Sequence, residues 1–499
     1  MKNFHLLVLL IIIAVFTSAC DETDTGGGGN VVADRILAVS EFNGDDEEIK
    51  VGGVAGAVPP GSEVVITNQD TGEMQTTTGN QDGSFDPPFE GSTDDTFLVD
   101  VFQDEELIDT TDLSVITLES LVNTNLAQLG SVPAVIKIRG NRAYVVNGFS
   151  DNIQVFDINQ NPPVELDTIV LPPSSNPIDM DFISDSEALV ANNSGQTAAI
   201  VNLDSFECET LYTRQINVPF EPCNGLINLG TGRFEEPSGV KVVGNTAYVS
   251  NNNLNEFFSP NGNGFITVID LEADSAFVVQ AGGANSGNFL LAGDELFFVN
   301  SGNILFNPVT SGFTCDPLFT PSINVINTNS NTISNLIPIP LSDTNSNVCL
   351  PGSIAATPGN EFGYIGLGLV GALLKVDLVD KVMVNGSDNP ILISPDLEVL
   401  NNTASVVIDE NGIGFTALFN TDQIAVFNTE NDIVNPFPAI APFPSGLRAF
   451  NPDSELFDGV QELSLRQGTP GLDFTGPNLF FITGISSQLG SVNAGIILP

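Results

Sequence analysis

Residues that could carry chemistry are few in this 499-residue chain, and histidine is the clearest case. The one histidine, His5, lies in an apolar N-terminal stretch, so the chain beyond it has neither imidazole nor tryptophan side chains. Catalysis by a Ser-His-Asp or Cys-His arrangement, haem ligation by histidine and histidine-based zinc sites are therefore excluded. The chain has 62 acidic residues against 13 lysines and arginines. We expect no nucleic-acid partner, because so acidic a surface repels phosphates.

Carboxylates are the remaining candidates for chemistry, and beyond residue 112 a dense group of four lies between Asp179 and Glu187. Side chains alternate along a strand, so Asp179 and Asp181 are predicted to lie on one face, where they could share a cation. Calcium prefers six to eight oxygen ligands, so two carboxylates alone make only a weak metal site. We expect no cofactor, with Ca²⁺ as the one candidate ion, and we nominate no catalytic residue.

The first residues have the features of an export signal. Lys2 precedes an unbroken apolar run from Leu6 to Phe16. Such a run is too short to cross a bilayer core of about 30 Å, but it has the length of a signal-peptide core.

The segment Thr17-Ser18-Ala19-Cys20 that follows resembles the lipobox of bacterial lipoproteins, in which the cysteine is lipidated and becomes the mature N-terminus. The resemblance implies that residues 1–19 are a lipoprotein signal peptide and that Cys20 is the lipid attachment site. Residues 20–33 then form an acidic, glycine-rich tether. The family usually has Leu, Val or Ile where this chain has Thr17, and an ordinary secretory signal is the alternative. The expected location is the cell envelope, with the outer membrane, the periplasmic face and the surface face left open.

The other four cysteines are predicted to form disulfide bonds, because an even number of cysteines in an exported chain favours them. Pairing between sequence neighbours is the simplest of the three possible connectivities. It joins Cys208 to Cys223 and Cys315 to Cys349. A zinc site made of four thiolates is the alternative, although no C-x-x-C spacing is present.

Residues 34–112 are predicted to form a small β-sandwich. Short β-branched runs alternate there with turn signals such as Pro59-Pro60-Gly61 and Asp82-Gly83. The cadence resembles the Ig-like and carboxypeptidase-regulatory-like modules of exported bacterial proteins, which usually act as stalks or spacers. Its acidic run at residues 45–48 is interpreted as a solvated edge rather than a calcium site.

Beyond residue 112 a repeat of about 55 residues decides the fold class. Each copy has an apolar strand, a Gly-Asn type turn, an aromatic-apolar strand that often ends in Asn, and a further strand ending in V-x-D or V-x-N. Seven copies are recognised. Their aromatic-apolar strands, which we call the marker strands, start, with any preceding turn, at Gly140, Glu187, Gly244, Gly293, Asn360, Glu410 and Pro477. A four-stranded sheet buries both faces only when it packs against neighbours, which predicts a β-propeller.

Strands such as AYVVN and AYVSN resemble the YVTN β-propeller repeat of bacterial surface and exported proteins. The predicted fold is thus all-β, with a seven-bladed β-propeller at residues 113–499 after the sandwich. Ring closure is expected from either Leu113–Leu118 or Gly495–Leu498. The asparagines that end the marker strands are interpreted as turn residues, and the repeated aromatic residues as packing between blades. They are Asn147, Asn192, Asn251, Asn300 and Asn420, and Tyr144, Tyr248, Phe298, Tyr364 and Phe481.

Two functions from different classes follow. The first is a membrane-anchored binding or scaffolding module without enzymatic activity, in contact with the membrane through its lipid. Its propeller rim would bind a protein, glycan or small-molecule ligand, with the insertions Ser205–Asn224 and Gly302–Pro321 on that rim. The second is a periplasmic propeller enzyme, because YVTN-like propellers resemble lactonases and because hydrolysis needs only two suitably spaced carboxylates.

Overall fold

The computed structural model describes the larger part of the chain. The described residues are 31, 36–43, 46–53, 58–81, 83, 85, 88–89, 92, 95–103, 106–116, 127–128, 132–159, 164–215, 218, 220–255, 259–307, 312–339, 350–368, 370–386, 388–393, 403–408, 412–418, 423–429, 432–434, 460–465, 479–483 and 491–494. All regular elements in these ranges are β-strands. No helix of the described part is long and apolar enough to cross a membrane. The predicted signal peptide, Cys20 and the tether lie outside the described residues.

The N-terminal strands form one seven-stranded sheet in the order β4-β3-β6-β7-β1-β2-β5, in which β1 and β7 are parallel. Val64, Val99 and Phe97 belong to its buried core. The strand β7 extends to Ile116, so Leu113 to Ile116 belong to this sheet and do not close the propeller ring. The strands are β1 Ile36–Asn43, β2 Asp46–Gly53, β3 Glu63–Asn68, β4 Met74–Thr78, β5 Pro88–Phe89, β6 Thr96–Gln103 and β7 Glu106–Ile116.

The rest of the described chain is a series of antiparallel sheets of mostly four strands each, which we call blades 1 to 7 in chain order. Blade 1 comprises β9 Pro133–Arg139, β10 Arg142–Asn147, β11 Asn152–Asp157 and β12 Val164–Val170. Blade 2 comprises β13 Pro177–Phe182, β14 Glu187–Asn192, β15 Thr197–Asn202, β16 Glu207–Thr213 and β17 Gly225–Asn228. Blade 3 comprises β18 Pro237–Val243, β19 Thr246–Asn251, β20 Phe265–Asp270 and β21 Ser275–Gln280.

Blade 4 comprises β22 Ser286–Ala292, β23 Glu295–Asn300, β26 Ser322–Asn327 and β27 Thr332–Pro338, and the hairpin β24 Ile304–Asn307 with β25 Gly312–Cys315 lies between its second and third strands. Blade 5 comprises β28 Pro351–Ala356, β29 Phe362–Leu367, β30 Ala372–Asp377, β31 Val382–Met383 and β32 Ile391–Leu392. Blade 6 comprises β33 Thr403–Ile408, β34 Ile413–Leu418, β35 Gln423–Asn428 and β36 Ile433–Val434. Blade 7 comprises β37 Val460–Leu465, β38 Leu479–Thr483, β39 Ser491–Ala494 and the early strand β8 Ala127–Gln128.

The burial of each strand follows its place in the blade. The second strands, such as β10, β14 and β19, are buried at all but their first residue, whereas the fourth strand β12 is mostly exposed. Apolar clusters join neighbouring blades, as Tyr144 of blade 1 and Met180 of blade 2 do in one of them. This is the packing expected when sheets that cannot bury both faces alone stack side by side.

The first strands of the blades contact one another in sequence, from β9 through β13, β18, β22, β28 and β33 to β37, and β37 contacts β9. The all-β propeller prediction is confirmed. The count of seven blades, the sandwich form of the N-terminal sheet and the domain boundaries stay predictions for the whole chain. In blade 7, β8 pairs with β39, so a strand from before blade 1 completes the last sheet. Neither segment expected to close the ring supplies this strand, and Gly495–Leu498 lies outside the described residues.

Candidate functional site

The innermost strand of each blade has a free edge that faces the central channel. Its N–H groups on that edge have no neighbouring strand, so other acceptors must satisfy them. Side chains of the preceding blade do this at three places. The Val240 N–H donates to Asp179 Oδ2 at 2.8 Å, the Val242 N–H to Asp181 Oδ2 at 2.8 Å, and the Val406 N–H to Ser353 Oγ at 2.7 Å.

Asp179 and Asp181 both line the central cavity, so the prediction that they share a face is supported. They bind lysines rather than a common cation. Lys137 of blade 1 lies 3.0 Å from Asp179 Oδ1, and Lys241 of blade 3 lies 3.1 Å from Asp181 Oδ2. Among the described residues, no group of three or more His, Cys, Asp or Glu could hold a metal ion. The two carboxylates therefore serve to join blades 1, 2 and 3.

Sequence reasoning missed Lys137 and Lys241, although a signal was present. Each lysine stands three residues before the Gly-Asn turn of its repeat, at Gly140 and Gly244. The repeat places them at the same position of the innermost strands β9 and β18, on either side of the acidic strand β13. Only the blade order shows that strands distant in sequence become neighbours.

The channel contains an open cavity of about 130 Å³. The residues that line it come from the first strands of blades 1 to 6. They are Lys137, Asp179, Asp181, Val240, Lys241, Asn288, Phe289, Ser353, Ile354, Ser405 and Val406. One side of the cavity carries the alternating lysines and aspartates, and the other carries amide and hydroxyl groups.

A second candidate site is one face of the ring. In an antiparallel four-stranded blade, the connection between strands two and three and the connection to the next blade leave from the same edge. The described residues of 252–264 and 301–321 belong to such connections in blades 3 and 4, and 229–236 follows β17 at the same end of blade 2, so these residues lie on one face, which we call the insertion face. On the opposite face, which we call the turn face, blades 1, 3 and 4 have two-residue turns between their first two strands.

The segment 214–236 is held in place covalently and by a strand. A disulfide bond joins Cys208 to Cys223, which confirms that predicted pair. The strand β17 then pairs in parallel with β16. The predicted insertion Ser205–Asn224 was placed too early, because Glu207–Thr213 is the regular fourth strand of the blade. Cys315 is also disulfide-bonded, and its predicted partner Cys349 lies outside the described residues.

Glu236 joins two of these segments. Its Oε2 accepts the Leu254 N–H at 3.0 Å, and its Oε1 accepts a hydrogen bond from Gln196 Nε2 at 3.3 Å. Burial raises the pKa of Glu236, against the lowering effect of the Leu254 N–H. Leu254, near the start of the connection within blade 3, is thus fixed to Glu236 at the end of the connection that precedes that blade.

The segment 301–321 presents an apolar side chain on a rigid turn. Asp316, which is buried, accepts hydrogen bonds from Asn303 Nδ2 at 3.0 Å and from the Leu318 N–H at 2.9 Å. Gly302 has φ of +75°, and a Cβ there would collide with the Phe319 carbonyl oxygen. Leu318 is 83% exposed on this turn. Leu305 of the same segment is also exposed.

The asparagines that end the marker strands have a different role from the predicted one. Asn147, Asn192, Asn251 and Asn300 are fully buried. Their Nδ2 groups bind side chains of the following strand, as in Asn192 to Thr197 Oγ1 at 3.0 Å. Asn420 lies outside the described residues. Turn chemistry is instead found at the next strand's end, where Asp270 Oδ1 accepts the Glu272 and Ala273 N–H groups.

Four aromatic residues of the repeat pack between blades, as predicted: Tyr144, Tyr248, Phe298 and Tyr364. The side chain of Phe481 lies outside the described part of the chain. Tyr248 of blade 3 donates a hydrogen bond to Asn331 of blade 4, and Tyr364 of blade 5 donates one to Asp432 of blade 6. Burial, followed by the hydrogen bond to Asp432, raises the pKa of Tyr364 far above its usual range. Both phenols stay neutral and serve as links between blades.

Comparisons with known proteins place the fold but no family. No protein-family model matches the sequence, and no curated protein matches it either. The Kuenenia stuttgartiensis hydrazine synthase structure matches with a TM-score of 0.50 and 11% identity, over 75% of this chain and 99% of that chain. At such identity the similarity shows the fold alone. That fold is a β-propeller.

Two further solved structures are similar at lower scores. The virginiamycin B lyase of Staphylococcus aureus matches with a TM-score of 0.47 and 13% identity, over 74% of this chain and 99% of that chain. The β-propeller domain of Myceliophteria thermophila Cps50 matches with a TM-score of 0.45 and 8% identity, over 74% of this chain and 98% of that chain.

Proposed function

We propose that this chain is an exported, lipid-anchored protein of the cell envelope whose propeller binds a partner through the insertion face and catalyses no reaction on it. The observation that carries the proposal is the concentration of long, braced connections on one face, in consecutive blades. The opposite face has short turns between its strands at the corresponding blades.

The contacts that hold these segments in place favour a binding role over a role as a stalk or spacer. The added strand β17, the half-buried Glu236 and the buried Asp316 hold these segments in one conformation. Ordering a loop before binding reduces the entropy that is lost on association. A rigid loop that also exposes Leu318 presents an apolar contact, which favours a protein surface as the partner.

The channel carboxylates support a role without catalysis. Asp179 and Asp181 each bind a lysine and a backbone N–H of the neighbouring blade. These contacts engage both carboxylates in joining neighbouring blades, which supports a structural role for them.

Photocross-linking in intact cells tests the binding face. A photoreactive phenylalanine derivative replaces Leu318 in one variant of the full chain. In the matched control it replaces Val379, which is 67% exposed and follows the third strand of blade 5 on the turn face. We expect a discrete cross-linked product from position 318 alone. Equal products from both positions, or none from position 318, would contradict the proposal.

The anchor is tested separately by metabolic labelling with a fatty-acid analogue. The proposal expects the full-length chain to carry the label and the Cys20→Ser variant to lose it. The Cys349→Ser variant serves as the control and should keep the label. Retention of the label by the Cys20→Ser variant would exclude Cys20 as the lipid attachment site.

A further inference from the structure

In the described part of the chain, two backbone N–H groups that face the central channel have no side-chain acceptor from the neighbouring blade. Val240, Phe289, Ile354 and Val406 occupy the same register, each paired with the fourth residue of its neighbouring second strand. The Val240 and Val406 N–H groups donate to Asp179 and Ser353 across the channel edge. The same register directs the N–H groups of Phe289 and Ile354 towards the channel.

By analogy with Asp179, the acceptor for the Phe289 N–H would come from the equivalent position of the preceding blade. That position in blade 3 is Gly239, which has no side chain to accept a hydrogen bond. A Cβ at Gly239 would lie 2.9 Å from the Gly287 carbonyl oxygen, so a side chain has no room there. Asn288, the counterpart in blade 4, is exposed to the channel. Within the described residues, no side chain accepts a hydrogen bond from the Phe289 or Ile354 N–H.

Further donors surround these two N–H groups. The Lys241 side chain lines the cavity and is 30% exposed, and its ammonium carries three N–H donors, of which the ion pair to Asp181 accounts for one. The Ser353 oxygen accepts the Val406 N–H, which leaves its own O–H to donate. The Asn288 carboxamide adds two N–H donors. This sector of the cavity, between blades 3 and 5, is therefore rich in donors of hydrogen bonds.

Convergent backbone and ammonium donors are the features that proteins use to bind oxyanions. The cavity of about 130 Å³ sets the size of the ligand. A cavity of about 150 Å³ holds a molecule of six carbon atoms, so this one accommodates a few heavy atoms.

We propose that the channel sector formed by Lys241, Asn288, Ser353 and the Phe289 and Ile354 N–H groups binds the carboxylate group of a small organic molecule. The carboxylate accepts hydrogen bonds from these donors and lies beside the Lys241 charge. The site is separate from the insertion face, so its test does not depend on whether the proposed partner exists.

Saturation-transfer NMR with acetate as the probe tests the site on the full mature chain. The Asn288→Asp variant is isosteric and places a negative charge among the donors. The matched control is Asn329→Asp, which makes the same change of charge at an exposed turn of the same blade. We expect saturable acetate binding that weakens about tenfold or more in Asn288→Asp and is unchanged in Asn329→Asp, as repulsion at close range requires.

Three results would overturn the proposal. They are the absence of saturable acetate binding to the wild-type chain, equal weakening in both variants, and saturable binding of methylammonium in place of acetate. Circular dichroism and thermal unfolding of each variant establish that the fold is retained.

The Lys241→Met, Asp181→Asn double variant provides a second test, because it removes the ammonium without leaving an unpaired carboxylate. It should also weaken acetate binding.

Discussion

Asp179 has the features of a metal ligand in the sequence, but in the structure its side chain joins neighbouring blades. It is 5% exposed, and it joins Lys137 of one neighbouring blade to the Val240 N–H of the other. Such a buried charge is costly to disturb, because its ion pair and its hydrogen bond are lost together.

The Asp179→Asn variant should lower the free energy of unfolding by about 2 to 3 kcal/mol, because the buried side chain at position 179 loses its ion pair with Lys137. Urea denaturation measures the change. Asp185→Asn is the matched control, since Asp185 pairs with Arg139 but its side chain is 97% exposed. The control should change stability by less than about 1 kcal/mol. Similar effects of the two substitutions would contradict the role given to Asp179.

Glu187 provides a test by pH. Burial, and then the neighbouring Glu209, raise the pKa of Glu187 above its ordinary value of 4.5. The folded state therefore favours the protonated form, so the wild-type chain loses stability as pH rises through this raised pKa. The Glu187→Gln variant removes the repulsion, and it should be more stable than wild type at pH 7 by a few tenths of a kcal/mol.

That gain should disappear below the ordinary value of 4.5, where Glu187 is protonated in both the folded and the unfolded chain. Thermal unfolding across the pH range measures it. The exposed Glu207, on the same strand as Glu209, gives the control variant Glu207→Gln. A gain that is constant with pH would show that repulsion is not its cause.

The residue scale also shows what the sequence leaves open. The alternation rule placed Asp179 and Asp181 on one face correctly, because it depends only on strand geometry. Their partners could not be predicted, because Lys137 and Lys241 approach only after the blades close into a ring. The burial of Asn147 and Asn192 was missed for the same reason, since a polar residue at a strand end is typical of a turn.

At the scale of elements, the repeat predicted the second and third strands of the blades closely. The Gly-Asn turn fixes the start of the second strand, as at Gly140 and Gly244, where φ is +56° and +57°. The inserted strand β17 and the closing strand β8 were not predicted. Each is short and lacks a repeat partner, so its pairing depends on the tertiary structure.

The disulfide between Cys208 and Cys223 should stabilise the segment that follows blade 2. Its loop of about fifteen residues corresponds to about 3 kcal/mol of loop-closure free energy. The Cys208→Ala, Cys223→Ala double variant should lose up to that amount in chemical denaturation under oxidising conditions. It should also be cut faster by protease between residues 214 and 224.

Reduction of the wild-type chain is the matched comparison. Treatment with a thiol reductant should lower wild-type stability towards that of the double variant and leave the variant itself little changed. Unchanged stability and unchanged proteolysis of the double variant would show that strand pairing with β17 holds the segment without the covalent bond.

At the scale of the whole molecule, the net charge of −49 acts against the compact state. Raising sodium chloride from about 0.01 M to about 0.15 M shortens the Debye length from about 30 Å to about 8 Å, so repulsion is screened and the melting temperature should rise. Potassium chloride should give the same rise. A much larger rise with calcium chloride at equal ionic strength would instead indicate specific calcium binding.

On the proposed function, the insertion face is the surface that binds a partner in the cell envelope. Hydroxyl-radical footprinting of the full chain tests it most directly, by comparing the purified protein with the protein in isolated envelopes. We expect oxidation of Leu318 and Leu305 to fall severalfold in envelopes while oxidation of Val379 is unchanged. Equal oxidation of the two leucines in both samples, or protection of Val379 alone, would contradict it.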